Sequence, residues 1–275
     1  MSIMSVRTNI ASMMAAGQLG RTNKGLTNSL GKISSGLRIN SAAEDAAGLG
    51  VATNLESQVI STRQAMRNTN DGISIIQTAE SAANEVTDIL QRMRELAVQS
   101  SSETLADSER SFITDEFNQL RSEVQRIATV TEFNGLSLAD GNTTSISVQV
   151  GIQNATSSRI DITLGDLTSS GLAINNLDLS SVTNARASID TLDTALNSVN
   201  SFRSQFGAVQ NRLDSALNNS QINVEALSSA SSQIMDTDFA TETSNLTKLQ
   251  IMQQAGVASL AQAKNINQSV ISLLS

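Results

Sequence analysis

The sequence predicts a mainly α chain: long antiparallel helical rods of coiled-coil character with one small central β-hairpin. Three observations carry that expectation. No proline interrupts the 275 residues, which favours long continuous helices. Apolar residues recur at alternating steps of 3 and 4 over most of the chain, and a period of two replaces that pattern in one place alone. Six Phe with no Trp or Tyr cannot fill a wide core, which suits narrow seams between rods better than a thick globule.

Taken in order, the first stripe is Ile3, Val6, Ile10 and Met13, followed by Leu26, Leu30, Ile33 and Leu37. Gly17, Gly20, Gly25 and Gly31 fall between or among them, each costing up to ~1 kcal/mol in an isolated helix. This helix therefore needs a partner. A second helix is predicted after Ser41, running toward Thr69, where Thr69-Asn70-Asp71-Gly72 reads as a turn. Beyond it Ile76, Ala79, Ala83, Val86, Leu90, Met93 and Ala97 form a heptad seam. Ser100-Ser101-Ser102 closes that rod, and Thr104 with Asp107 has the spacing of a capping box for the next. The next seam is Ile113, Phe117, Leu120, Val124 and Ile127, ending near Phe133-Asn134-Gly135.

The alternating stretch comes next. Ile146, Val148, Val150 and Ile152 alternate with polar residues, as do Ile160, Ile162 and Leu164, which predicts a hairpin around a turn at 153–158. A loop rich in Ser, Asn, Asp and Gly follows to about residue 183. The heptad then returns as Leu192, Val199, Phe206, Leu213, Ser220, Leu227 and Ile234, beside a companion row of Ile189, Leu196, Leu217 and Val224. Leu249, Met252, Gly256, Ala263, Ile266, Val270 and Leu273 trace a last amphipathic helix. Helices at both ends with strands between them predict antiparallel folding back, which sets the two ends side by side.

Charge is segregated along this plan. Residues 1–43 hold five bases and no acid, and residues 243–275 hold Lys248 and Lys264 and no acid. The 26 carboxylates of the middle against its 11 bases leave −15 there, and all the Phe lie in it too. The basic ends do not read as a nucleic-acid surface, because seven scattered bases form no cluster and no aromatic offers stacking. No stretch reaches the ~18 apolar residues of a membrane span, which speaks against a membrane-inserting translocator. The N-terminus lacks the pattern of a cleaved secretory signal, so any export is expected to use another route.

Chemistry is equally constrained. Without His or Cys, the common transition-metal ligands, thiol nucleophiles and Ser-His systems are missing. Gly25 to Lys32 misses the phosphate-loop spacing by one, and Ile33 stands where Ser or Thr belongs. Gly48-Leu49-Gly50 has no preceding strand, so it reads as small residues at a close helix approach. Asp236-Thr237-Asp238 lacks the remaining ligands of a calcium loop and reads as a helix boundary with capping acids. Asp115, Glu116 and Glu123 among Arg121 and Arg126 read as a solvated face of ion pairs. The expectation is a chain with no cofactor, no metal and no turnover.

The seams and their flanks resemble bacterial flagellin, in a short form without large variable outer domains. The resemblance rests on the run from Ser34-Ser35-Gly36-Leu37-Arg38-Ile39-Asn40 through Ala47-Gly48, then Asn70-Asp71-Gly72-Ile73-Ser74 and Gln77-Thr78-Ala79-Glu80. It continues in Leu90 to Gln99 and in Thr131-Glu132-Phe133-Asn134-Gly135. Toward the other end it takes in Phe206 to Leu213, Asp236 to Glu242, Gln254-Ala255-Gly256 and Val270 to Leu274. The glycine-rich first helix and the final Ser275 depart from the family pattern.

What the resemblance implies is a structural subunit of the extracellular flagellar filament, acting in motility. It implies a terminal module of residues 1–42 with 236–275 and a helical rod of 43–235, its hairpin at about 143–165. Export unfolded through the flagellar type III apparatus, a flagellin-specific chaperone, a filament cap and hook-associated junction proteins come with it. So does a host Toll-like receptor, expected to touch Gln91, Arg92 and Leu96, with Glu116 nearby. The alternatives are a hook–filament junction protein with similar termini, or a secreted enzyme on the same frame, for which a chain without His supplies no His-Glu-x-x-His site. Residues 1 to about 42 and about 236 to 275 are expected to be largely disordered in the free monomer and to fold on assembly, because their seams offer little against ~1–2 kcal/mol of backbone entropy per residue.

Overall fold

Five long helices and two small antiparallel sheets make up the described residues. The structure is a computed structural model that describes the backbone of residues 8–272 and the side chains of residues 8–265. In chain order the elements are α1 (Ile10–Ser35), α2 (Ala46–Ser100), α3 (Asp107–Val130), β1 (Glu132–Phe133), β2 (Leu136–Ser137), β3 (Ser145–Gln149), β4 (Arg159–Thr163), α4 (Val182–Met235) and α5 (Phe239–Ser272). They divide into two units, one made of the stretches up to Ser57 and from Ala226 onward, the other of Gln58–Glu225.

In the unit of residues 58–225 the heptad seams are the core. Ile76, Ala79, Ala83, Val86, Leu90, Met93 and Ala97 are all buried, as are Ile113, Phe117 and Val124 of α3 and Leu192, Val199, Phe206 and Leu213 of α4. One cluster joins α2, α3 and α4 around Leu90, Phe117 and Leu192; a second seats the hairpin against Ile76, Phe206 and Leu213. Each such Leu or Phe contributes roughly 1.5–3 kcal/mol by leaving water. The hairpin pairs Ile146 with Ile162 and Val148 with Ile160, so its alternating apolar face turns inward. Its strands end at Gln149 and Arg159, and a 3-10 turn at Thr156–Ser158 joins them.

The structure corrects three local expectations. Thr69-Asn70-Asp71-Gly72 is not a turn, because α2 runs through it without a break. Thr69 is buried and donates its hydroxyl to the Ala65 carbonyl, and Gly72 lies where a Cβ would come 3.0 Å from Val148 Cγ2. The glycine is thus a point of close approach to the hairpin, and packing overrides its low helix propensity. Thr104 and Asp107 do not form a capping box. α3 begins one residue after Ala106, whose N–H donates to Glu109 Oε2 at 3.1 Å, so only the reach-back half of the motif is present. Finally, Phe133-Asn134-Gly135 does more than end a rod: Asn134 (φ 52) and Gly135 (φ 77) form a tight turn between β1 and β2.

The region up to about residue 183, expected as a polar loop, is a packed one. Leu167, Leu172, Ile174 and Leu179 are buried in the larger cluster. The turn from α2 to α3 is held from inside by Arg110, which is almost fully buried. Its guanidinium donates to the carbonyls of Ser100, Ser102 and Leu105, supplying donors to the orphan end of α2.

The other unit pairs α1 with α5. Asn9 caps α1 by accepting from Ser12 N at 2.9 Å, and Gly36 ends it at φ 73, a left-handed conformation suited to glycine. Its N–H closes on the Lys32 carbonyl. Asp238 caps α5, accepting from the backbone N–H groups of Ala240 (3.0 Å) and Thr241 (3.2 Å) and from the Thr241 hydroxyl. These contacts, the Thr241 hydroxyl first, hold the Asp238 carboxyl below the ordinary carboxylate range. The reading of Asp236-Thr237-Asp238 as a capped boundary stands. This elbow is stitched to the one after α1: Leu37 bridges to Asp236, Thr237 N donates to Gly36 O at 2.9 Å, and Arg38 donates to the carbonyls of Met235 and Ile234.

Candidate assembly surface

The pairing of α1 with α5 reverses the usual distribution of residues. On α1 the two buried side chains are Thr22 and Ser29. Between the helices, small residues meet leucines: a Cβ on Gly25 would lie 3.3 Å from Leu249, and one on Gly256 would lie 3.3 Å from Leu19. Meanwhile the large apolar groups face out. Ile10 is 60 % exposed and Met14 72 %, and Met13, Leu30, Ile251 and Val257 are exposed as well. Ala15, Leu19, Thr22, Met252, Ala255 and Gly256 line an open groove of about 240 Å³ along the pair.

The expected seam residues are therefore split. Leu26, Ile33, Leu37 and Leu249 are half-buried, with Leu249 against Gly25, while Ile10, Leu30 and Met252 are exposed. Ile3, Val6 and Leu273 lie outside the described residues, as do the side chains of Ile266 and Val270. What the sequence pattern could not distinguish was which apolar row faces the sister helix and which faces away.

A second surface lies on the unit of 58–225, around the expected receptor residues. Arg92 donates to Glu116 through Nε (3.1 Å) and Nη2 (2.8 Å), and to Glu95 at 3.0 Å, tying α2 to α3. Those bonds, Glu116 first, raise the Arg92 pKa above its usual value. One turn before Glu116 on the same face of α3, Phe112 is 74 % exposed. Leu96, by contrast, is only 2 % exposed and packs in the core, so the structure brings Arg92 and Glu116 together but sets Leu96 behind them. Phe112 was missed because it lies off the α3 heptad seam. Its signal was an aromatic at a non-seam position.

Gln91 lies on the neighbouring face, in an open groove with Arg94, Glu95, Val98 and Gln99. There Arg94 holds Asp193 at 2.6 Å, and that bond keeps the Asp193 carboxyl below the ordinary range. The expected pairing along α3 is partly found. Glu123 and Arg126 pair at 2.6 Å, while Arg121 donates to the carbonyls of Asn175 and Leu177. Gly48 is needed for a close approach, to Ile39 and to the Asp45 side chain that caps α2, whereas Gly50 has open space beside it. Among the described residues no group of three or more acidic side chains is placed to hold a metal ion, and no helix is long and apolar enough to cross a membrane.

Comparison with known proteins identifies the family. The bacterial flagellin N-terminal helical region matches residues 6–144, and the bacterial flagellin C-terminal helical region matches residues 189–274. A flagellin of Halalkalibacterium halodurans is 42 % identical over 98 % of this chain and 100 % of its own. Flagellin FlaB2 of Treponema pallidum is 38 % identical, again over 98 % of this chain and 100 % of its own. Among solved structures, a Bacillus cereus flagellin matches 56 % of this chain and 88 % of its own at 33 % identity, with a TM-score of 0.50. With both helical regions matched and full-length relatives of this similarity, the chain belongs to the bacterial flagellin family.

Proposed function

We propose that this chain is the structural subunit of the flagellar filament, outside the cell and in the service of motility, and that it polymerises through its terminal helices. The observation that carries this reading is the α1–α5 pair, with small and polar residues inside and Ile10, Met13, Met14, Leu30, Ile251 and Val257 outside. An apolar face of this kind gains from burial only against other molecules, and in a polymer of identical chains those molecules are copies of itself. Residues 1–42 with 236–275 act as the assembling module and 43–235 as the rod; the elbows at Gly36 and Asp236–Asp238 lie close to those limits. The paired helices are the conformation that assembly fixes. In the free monomer α1 and α5 do not hold this pairing, and their folding and polymerisation are one step.

Export runs through the flagellar type III apparatus, with a chaperone on the C-terminal helix, and growth occurs beneath a cap on hook-associated proteins. The chain has no turnover of its own. In a host, the Toll-like receptor for flagellin reads the face of Gln91, Arg92 and Glu116. The buried Leu96 supports that face from behind, and Phe112 is the apolar group beside it. Replacing Arg92 with Ala is expected to lower receptor activation by at least about tenfold.

The test of the main reading is seeded growth. Purified monomer added to short filament seeds should elongate them under the electron microscope, and hydrogen exchange should show both ends protected in the filament but not in the monomer. Failure to elongate any seed, or full helical protection of both ends in the monomer, would overturn it.

A further inference from the structure

We infer that the hydrogen bond between Ser29 and Glu242 sets the register of the α1–α5 pair and so fixes the order in which the pair displays its apolar groups; this rests on the filament reading above. Glu242 is the only carboxylate in either helix, since α1 carries no acid and α5 no other. Its Oε1 accepts from the hydroxyl of Ser29, which is 2 % exposed, and Asn245 one turn along α5 leans on the same oxygen at 3.4 Å. None of the ion pairs among the described residues engages it. A carboxylate in an otherwise acid-free pair thus has its donor supplied by the sister helix.

The rest of the seam is poorly suited to choosing a register. Gly25 against Leu249 and Leu19 against Gly256 are contacts of small residues with flexible ones, which a shift along the helix can rebuild. The other buried residue of α1, Thr22, returns its hydroxyl to Gln18 of its own helix. Other polar contacts cross the seam as well, among them Asn9 to the Ala263 carbonyl at 2.8 Å and Gln253 to Asn23 at 2.9 Å. The first accepts on a backbone carbonyl, which every turn offers, and the second is exposed. Among these contacts of the described residues, Ser29–Glu242 is the one directional, charge-assisted bond with a buried donor. A single polar pair of this kind is how paired helices discriminate between registers. A one-turn slip would displace the exposed row of Ile10, Met14 and Leu30 by about 5.4 Å against that of Ile251 and Val257.

The chain has no cysteine, so introduced thiols report cleanly. Asn23→Cys is combined in turn with Leu249→Cys, Gln253→Cys or Val257→Cys in the full chain. Filaments and monomer are both treated with a short bifunctional thiol reagent, with Glu242 intact or changed. With Glu242 intact, the 23–253 pair should dominate. Glu242→Ala and Ser29→Ala should shift cross-linking toward 23–249 or 23–257 and slow seeded elongation roughly tenfold, the size expected for a bond to a charged group. Glu242→Gln, which keeps the acceptor, should stay within about twofold, and the double variant Ser29→Ala with Glu242→Ala should be no worse than either single one.

Unchanged cross-linking in Glu242→Ala overturns the inference, whether or not elongation slows. Loss of the 23–253 product with no gain at a slipped position also overturns it, since the pair would then have melted rather than slipped. Failure of the unaltered chain to elongate seeds counts against the filament reading, and cross-links in polymer salted out without seeds still decide the register.

Discussion

The two units use the same helical alphabet in opposite ways. In the unit of residues 58–225, Val86, Leu90, Met93, Phe117, Leu192 and Leu213 point inward and are fully shielded from water. In the α1–α5 pair, Thr22 and Ser29 take the interior while Ile10, Met13, Met14 and Ile251 remain outside. The first arrangement completes its hydrophobic burial within one chain. The second leaves it incomplete, so its stability depends on how many copies surround it. If folding of the ends is coupled to assembly, as proposed, the subunit stays soluble until it reaches a growing end, because the rod folds alone and the ends do not.

Removing the ends tests this contrast most severely. A chain lacking residues up to 45 and from 239 onward should retain cooperative unfolding and helical circular dichroism, yet add nothing to seeds. A truncated chain that elongates them normally would erase the distinction between the units.

Next come paired substitutions. Phe117→Ala should destabilise the isolated monomer by about 3–5 kcal/mol in denaturant titration. Met14→Ala or Ile251→Ala should change monomer stability by less than about 0.5 kcal/mol. These two should instead raise the monomer concentration left in equilibrium with filaments. Equal effects of all three on the monomer would mean that the terminal apolar groups are already satisfied in one chain.

Arg110→Met should cost the rod about 2–3 kcal/mol, because it removes the donor to the Ser100 carbonyl at the end of α2 and to the Ser102 and Leu105 carbonyls of the turn after it. Its counterpart is Gly20→Ala, where the structure shows open space for a Cβ and so predicts about 0.5–1 kcal/mol of added stability for α1. Helicity of the monomer measures the gain. If Gly20→Ala raises helicity while slowing elongation, that open space is occupied by another copy in the filament.

The smallest effect is the pH dependence of the two units. Asp193 in the rod, held by Arg94, and Asp238 at the head of α5, held by Thr241, are both depressed below the ordinary carboxylate range. Their contributions are complete above that range and are lost as pH falls through the depressed folded values, so both units should weaken only in acid. Both groups are exposed, which keeps the change small. Asp238→Asn, which can still cap, should remove the acid sensitivity of α5 and leave its neutral-pH helicity close to unchanged.

How much of this was legible depended on whether a signal was local. The rod seams from Ile76 to Ala97 and from Ile113 to Ile127 were read residue by residue, because a heptad needs only its own helix to be seen. The hairpin was legible for the same reason, and the turn at Asn134-Gly135 should have been, from its two residues alone. The uninterrupted course of α2 through Gly72 was not, since what keeps it helical there is Val148, far away in sequence. Leu96 illustrates the same limit at the proposed receptor face. Its motif is written in the chain, but which of its residues point outward is decided by α3 and α4.

The sequence by itself determined a helical, proline-free chain with acid-free ends, its seams, its hairpin and its likeness to flagellin, because periodicity, composition and motif all belong to the chain as written. The tertiary structure decided which row of each terminal helix faces its sister, that a buried Arg110 closes the end of α2, and that Ser29 meets Glu242 across the α1–α5 seam. Those facts depend on residues brought together from distant positions, and the free energy of such contacts is set by burial and partner geometry rather than by the order of residues along a helix.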